Sequence, residues 1–396
     1  MRLWAIPVVG AVWSVIAVHH LMQSMGWLFA ALSLAGVLYT LLAAGVIGRF
    51  AAVREPSAAT LPPVTLLKPL HFDSVGLEDD LDTFLMQDYP APIQIVFGVQ
   101  DPSDPAIAVV QHLKTRHPGI DIELVIDPRR YGSNAKVCNL INMMEKAKHG
   151  VLVLSDSDIA VPRDYLRRVA GALVQPGIGA VTCPYTGRAG GSAWSTLAAM
   201  GTSYEFLPNV IFGTWWGIAD ACLGSTIALT RKTLDTIGGF EAFANFLADD
   251  YEIGRAIRHR GLRVRVLPLA VAHRATEETF TDLFHHELRW SRTVRILRPG
   301  SHAGTIVTFP FPTALAALAL LGGIPGIAAV IAALGARFIL KGRMEKTYGA
   351  ASGPFWLLPI RDLLSMAVFL ASFLGQKVAW RGSRYEVETS GAMSQL

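Results

Sequence analysis

The chain has 396 residues, 52% hydrophobic and only 17% charged, with a formal net charge of +4. With a mean hydropathy of +0.38 and a pI near 9.0, it is too apolar for an ordinary soluble protein of this size. The middle holds most of the acids, so a soluble domain between membrane segments is expected, its basic balance suited to anionic headgroups rather than nucleic acid.

In chain order, residues 27–48 (WLFAALSLAGVLYTLLAAGVIG) carry no charge over the roughly 20 residues needed to cross a bilayer. They are the main span of an N-terminal membrane region, residues 1–55. An earlier apolar run at residues 3–18 ends at His19 and His20. It reads as a further or re-entrant span, a signal-like segment, or an upstream extension if translation begins near Met25. Between about residues 60 and 300, short apolar runs alternate with helix-like segments, the pattern of an α/β sheet. VTLLKPL at residues 64–70 precedes the helical LEDDLDTFLMQ, and IQIVFGV at residues 93–99 leads to Asp101. IDIELVI then runs into the loop DPRRYGSNAK, a helix, and VLVLSDSDIAVPRDYL at residues 151–166.

This last stretch places Asp156 and Asp158 directly after a buried-strand pattern, at the sheet edge where open α/β folds bind ligands. One acid would suffice to cap the following helix. Two carboxylates one residue apart can instead hold a hard divalent cation that leaves room for phosphates. Lys136, at a helix start, would suit a diphosphate; a solvated surface lysine is the alternative. Asp249 and Asp250, in FLADDYEIGRAIRHRGLRV, either complement a helix dipole or supply a general base.

In FTDLFHHELRWSRTVRILRPG, Arg289, Arg292, Arg295 and Arg298 recur every three residues. The stripe predicts an interfacial basic helix over about residues 279–298, with Arg289 beside Trp290 able to turn inward onto phosphate. His273 is a further metal ligand or a structural imidazole, and His285 and His286 lack zinc-site spacing. Cys138, Cys183 and Cys222 have neither metal nor disulfide spacing and read as buried thiols in a reducing compartment.

The C-terminal region, residues 301–396, offers three membrane segments, about 303–322, 324–340 and 354–378, the first two separated at GGIPG. Arg361 and Asp362 fall inside the third and should face the interface, a partner or a cavity. Basic flanks at residues 49–54 favour a cytoplasmic middle domain. Those at residues 337–346 and 377–384 cannot both be cytoplasmic if every segment crosses, which leaves the number of crossings open; the sequence is equally silent on oligomeric state.

In combination VQDPSDPA (residues 99–106), SDSDI (155–159), ADDY (248–251) and HHELRW (285–290) resemble the membrane-bound inverting glycosyltransferases of family 21. These include ceramide glucosyltransferases and bacterial hopanoid-biosynthesis enzymes. The resemblance covers roughly residues 64–298 and implies a GT-A domain over residues 56–300, a mixed sheet with helices on both faces. It implies Asp101 on the uracil and ribose side of UDP, and Asp156 and Asp158 as the D-x-D pair with Mg²⁺ or Mn²⁺. It implies Asp250 as base with Asp249 beside it, and Arg289 and Trp290 at the diphosphate and acceptor site. His286 stands where the family signature has Arg or Gln. Tyr204 follows Thr202-Ser203 where the animal enzymes carry His, and Asp158 stands where they have Gly.

Those departures favour the hopanoid branch, with UDP-N-acetylglucosamine as donor and bacteriohopanetetrol as acceptor at a bacterial inner membrane. The ceramide branch, using UDP-glucose, is the alternative. A processive polysaccharide synthase would need a polymer channel that few short spans cannot build. A non-catalytic nucleotide-sugar or lipid binder would be expected to have lost one of the acids, and all are present.

Overall fold

The computed structural model describes residues 6–55, 60–72, 75–219, 221–349, 351–380, 383–388 and 390–395. Helix α1 (Ile6–Ala51) is unbroken, so the apolar runs at residues 3–18 and 27–48 do not form separate spans within the described part. The polar interval between them holds no proline, and nothing there stops a helix. At 1.5 Å per residue, its 46 residues extend about 69 Å, roughly twice the hydrocarbon thickness of a bilayer.

The elements that follow are β1 (Val64–Pro69), α2 (Leu77–Leu85), β2 (Ile93–Val99), α3 (Ala106–Arg116), β3 (Asp121–Ile126), α4 (Ala135–Met144), β4 (Val151–Leu154) and β5 (Ile159–Ala160). Then come α5 (Tyr165–Leu173), β6 (Ile178–Thr182), β7 (Tyr185–Ala189), α6 (Ala193–Gly201), a π-turn (Thr202–Phe206), α7 (Leu207–Trp215), β8 (Ile227–Thr230) and α8 (Arg231–Thr236). The domain closes with α9 (Asp249–His259), β9 (Arg263–Val266), β10 (Val271–Ala275) and α10 (Phe280–Leu297).

The main sheet has the order β3-β2-β1-β4-β8-β6-β9. Strands β1 to β4 are parallel, and β8 runs antiparallel to both β4 and β6. Both faces are covered, which is why β1 and β4 are buried at every position rather than alternating, β4 being wholly apolar and β1 apolar apart from Thr65 and Lys68. Leu81, Phe84, Val110 and Val169 pack on one face, and Leu140, Met143, Ile253 and Ile257 on the other. A second sheet, β5-β10-β7, stands beside the carboxyl edge of the first.

Beyond α10 lie α11 (Pro299–Gly304), α12 (Pro310–Leu321), α13 (Gly323–Tyr348), α14 (Leu358–Ser372) and a β11 (Lys377–Trp380), β12 (Ser383–Val387), β13 (Met393–Gln395) sheet. Two of the expected C-terminal segments are corrected here. The first, 303–322, is broken, since α11 with the following 3₁₀ turn meets α12 at 67° and Pro310 and Pro312 open the new helix. The third stops at Ser372 instead of residue 378. Gly375 has a φ of 90°, a left-handed geometry that ends helices. Among the described residues three helices are long and apolar enough to cross a membrane, Ile16–Ala51, Gly323–Tyr348 and Phe355–Ser372, with the bent pair as a fourth if it is one span.

The membrane helices and the sheet domain share packing. Ile47 and Phe50 of α1 join Leu207 and Ile211 of α7 and Met344 of α13 in one buried cluster. A Cβ on Gly26 would meet Leu321 at 2.6 Å, and one on Gly36 would meet the Val307 carbonyl at 2.7 Å; such small residues permit close helix approach. Arg361 and Asp362 both face partners. Arg361 grips Glu287 of α10 through two bonds of 2.6 Å, and Asp362 accepts from Arg337 of α13 at 2.6 and 2.8 Å. Bidentate pairing offsets the desolvation of these ions.

Candidate active site

Because β1 to β4 are parallel, their carboxyl ends lie on one edge, and the acids follow from there. The β4 chain leaves the sheet at Leu154 and enters β5 after Asp158. β5 pairs antiparallel with β10 in a register that sets His273 opposite Ile159. That register brings His273 Nε2 to 3.3 Å from Asp158. Burial alone would raise the Asp158 carboxyl, yet His273 and Lys68 hold it below its ordinary value. Conversely burial opposes the imidazolium, and Asp158 outweighs it to raise His273. His273, a further metal ligand or a structural imidazole by sequence, is here a direct neighbour of Asp158.

Asn134 caps α4, accepting from Val137 N at 3.1 Å, and this fixes Lys136 in the first turn. Lys136 Nζ lies 2.6 Å from Asp156 and 3.5 Å from Asp249. Burial works against its charge, but Asp156 and Asp249 more than reverse that and keep the ammonium protonated. Asp249 also accepts from Asn134 at 3.4 Å, so it ties the start of α9 to the start of α4. Asp250 faces the cluster, with Oδ2 accepting from Gly224 N at 3.0 Å and Oδ1 from Tyr251 N at 2.7 Å. Burial, then Asp249, pushes the Asp250 carboxyl up to about 6. A Cβ on Gly224 would lie 2.9 Å from Asp156 Oδ2, 3.2 Å from Lys136 Nζ and 3.6 Å from Asp250 Oδ2, so glycine keeps the centre of the cluster open.

Helix α10 starts with a Thr279–Asp282 capping box and brings the signature residues against β10. His286 Nδ1 is 2.5 Å from Glu277, and its ring meets Trp290 edge-on at 4.5 Å. Trp290 lies 6.4 Å from His273, and the Arg289 guanidinium is 6.0 Å from the Trp290 ring. Asp101 sits just past β2 on the same edge, exposed. Its Oδ1 accepts from Ser103 N at 2.8 Å and Oγ at 2.6 Å, and these bonds hold it below the usual carboxylate range. Asp101 makes no direct contact with the acid cluster among the described residues.

Tyr204 needs correction. It is buried, its hydroxyl donating to Glu345 at 2.8 Å and accepting from Lys341 at 3.1 Å and Ser352 N at 2.9 Å. It braces the π-turn against α13 rather than facing the site. The stripe of arginines is also used internally in part. Arg292 donates to the Leu374 and Lys377 carbonyls and Arg295 to the Gly375 carbonyl, satisfying the backbone just beyond α14.

Two residues escaped the sequence reading. Lys68, fully buried in β1, donates to Ser155 Oγ at 3.3 Å and to the Asp156 carbonyl, and lies 3.8 Å over the Phe84 ring. Burial pushes it down to about 7 against the pull of Asp158 and Asp156. The available signal was a lysine inside an otherwise apolar strand. Tyr185 packs on Phe206 at 4.6 Å and His273 at 5.5 Å; burial, then Asp250, Asp156 and Asp158, pushes its phenol up. Nothing in its sequence context marked it.

For a metal, Asp158 Oδ1 is buried without a hydrogen-bond partner, and Asp156 flanks the opening at Gly224. Among the described residues no group of three or more His, Cys, Asp or Glu could hold an ion alone. One or two carboxylates with an orphaned oxygen fit a hard cation that takes its other ligands from phosphates and water. The three cysteines are free and buried, and burial raises Cys183 to about 12, which makes it an unreactive thiol.

From this edge a cavity of about 220 Å³ leads away, lined by His273, His286 and Trp290 on one side and by Phe309, Val368 and Phe369 of the C-terminal helices on the other. Glu205 of the π-turn also lines it, and π-turns recur at functional sites.

Comparison with known proteins places this arrangement. Ceramide glucosyltransferase 1 of Caenorhabditis elegans is 23% identical over 359 residues, 84% of this chain and 73% of that protein. Ceramide glucosyltransferase 3 of the same organism is 23% identical over 249 residues, 60% of this chain and about half, 51%, of that protein. Among solved structures, the mannosyltransferase PcManGT from Pyrobaculum calidifontis in complex with GDP-Man and Mn2+ superposes with a TM-score of 0.53 and 20% identity, covering 89% of this chain and 99% of that one. That likeness establishes the fold, a GT-A type glycosyltransferase domain flanked by apolar helices. Residues 25–393 match the family described as Glycosyl transferase family 21, so the chain belongs to that family and is a sugar-transferring enzyme.

Proposed function

We propose that this enzyme moves a hexose from a UDP-sugar to a hydroxyl of a membrane lipid, with inversion at the anomeric carbon. The observation that carries the reading is the cavity running from His273, whose ring contacts Asp158, to Phe309 and Phe369 of the C-terminal region. A soluble acceptor has no use for such a lining, whereas a lipid can place its apolar body there and its hydroxyl beside the acids.

Asp156 and Asp158 are the residues that would hold Mg²⁺ or Mn²⁺, and a bound cation would neutralise the donor's diphosphate. Lys136, held protonated by Asp156 and Asp249, and Arg289 stabilise charge on the departing UDP. Asp101 takes the nucleoside side of the donor. Asp250 accepts the proton of the lipid hydroxyl as its oxygen attacks in line, and a carboxyl near pH 6 is ionised yet basic at neutral pH. Trp290 and His286 form the wall against which the acceptor head rests. The flanking Arg49 and Arg54 support a domain on the cytoplasmic face of a bacterial inner membrane.

The favoured pair is UDP-N-acetylglucosamine with bacteriohopanetetrol, resting on Asp158 in the D-x-D pair. Tyr204 gives this choice no direct support, since it does not line the cavity. The names of the matched relatives support the second reading, UDP-glucose with ceramide. The test is a donor-by-acceptor assay on detergent-purified protein with Mg²⁺ or Mn²⁺ and Asp250→Asn as control. Glycosylated hopanoid selects the first reading and glucosylceramide the second, while failure with every lipid pair overturns lipid transfer.

A further inference from the structure

A second cavity, about 430 Å³, opens where α1 ends, and no residue of the acid cluster lines it. Its volume falls in the roughly 300–1,000 Å³ range of ligand sites. Its charged lining comes from Arg258 at the end of α9, Arg263 and Arg265 on the edge strand β9, and Glu55 just beyond α1. Arg265 is bound to Glu55 at 3.0 Å, and Arg263 donates to the Pro176 carbonyl at 3.1 Å. The Arg258 guanidinium has no hydrogen-bonded partner among the described residues. Three guanidinium groups against one carboxylate leave the described lining with an excess of cation, and guanidinium forks match phosphate oxygens.

Two further observations locate the cavity at a bilayer surface. Phe50 and Val53, at and just past the end of the membrane-crossing helix α1, form part of its wall. Beside it the end of α7 presents Trp215 to the cavity, while Trp216 is 58% and Ile218 68% exposed. Tryptophan is the residue that settles at the headgroup level, and exposed apolar side chains of this size call for a covering.

We infer that this cavity binds the phosphate headgroup of an anionic membrane lipid, with Arg258 and Arg263 as its ligands and the Trp215–Ile218 tip anchored in the same leaflet. The arginine stripe on α10, which the sequence marked for this role, is partly engaged with carbonyls beyond α14. The arginines around β9 meet the headgroups instead. Docking at this point would fix the height of the domain above the bilayer.

The test uses the full chain in detergent, with native mass spectrometry reporting bound lipid on folded protein. Phosphatidylglycerol, phosphatidylcholine and inorganic phosphate are titrated separately. Wild type should retain phosphatidylglycerol and not phosphatidylcholine. Arg258→Gln with Arg263→Gln should weaken retention by about 5-fold per arginine, or roughly 30-fold together. Arg258→Lys with Arg263→Lys preserves the charge and should keep binding within a few-fold. Equal retention of both lipids, an unchanged affinity in the glutamine variant, or inorganic phosphate competing as well as the lipid would each overturn the inference.

Discussion

Asp250→Asn tests two consequences of one buried carboxyl. Its folded-state value of about 6, against an ordinary 3.8, is a shift of about 2 units, or about 3 kcal/mol at 1.36 kcal/mol per unit. The folded value is raised, so the group's favourable contribution to stability is fully present below its ordinary pKa. That contribution is lost as pH rises through about 6. At pH 7.5 the wild type therefore carries an ionised carboxylate at a cost that an amide does not. The amide can accept from only one of Gly224 N and Tyr251 N, now at 3.0 and 2.7 Å, which costs about 1–2 kcal/mol. The net gain of about 1–2 kcal/mol corresponds to roughly 1–2 °C in Tm for a chain of this length. Transfer should meanwhile fall by about 10²–10⁴-fold. Thermal scans in EDTA at pH 7.5 and below pH 5, with a glycolipid assay on the same preparations, measure both. The stability advantage should vanish or reverse at the lower pH. Activity within tenfold of wild type would remove Asp250 as base, and a Tm several degrees lower at pH 7.5 would refute the burial argument.

In the wild type, kcat/KM should decline about tenfold per pH unit below about 6, as Asp250 takes up its proton; a flat profile to pH 5 contradicts this. EDTA should abolish transfer and Mn²⁺ or Mg²⁺ restore it. His273→Ala, which frees Asp158 from its 3.3 Å partner, should raise the metal concentration for half-maximal rate by about 10–100-fold. Lys68→Met should lower activity at least about tenfold while shifting Tm only a few degrees, since the methyl thioether fills the volume without holding the Ser155–Asp156 turn; assaying both quantities separates positioning from folding. Glu277→Gln removes the carboxylate held at 2.5 Å from His286 and should raise KM for the lipid several-fold while leaving KM for the UDP-sugar unchanged. Equal changes in the two would place His286 at the donor instead.

The sequence by itself determined the α/β domain between apolar ends, because an unbroken apolar strand and an uncharged span of about 20 residues are local patterns that burial imposes. It also marked the acids at the strand ends and the signature on α10, since parallel strands must deliver their carboxyl ends to one edge. Only the tertiary structure decided which of these side chains meet. His273 reaches Asp158 through the register of β5 with β10, a pairing across more than a hundred residues that no local pattern records. Lys68 becomes part of the D-x-D turn because β1 neighbours β4 in the sheet. Arg361 is satisfied by Glu287 and Asp362 by Arg337, partners contributed by other helices. Tyr204 does not line the cavity, since its hydroxyl is held by Glu345 and Lys341 of α13, and the arginine stripe is partly engaged by carbonyls beyond α14. Local sequence fixes which groups are available and which face of an element is apolar. The pairing of charges is decided by packing, because a buried ion must find its partner wherever the fold brings one.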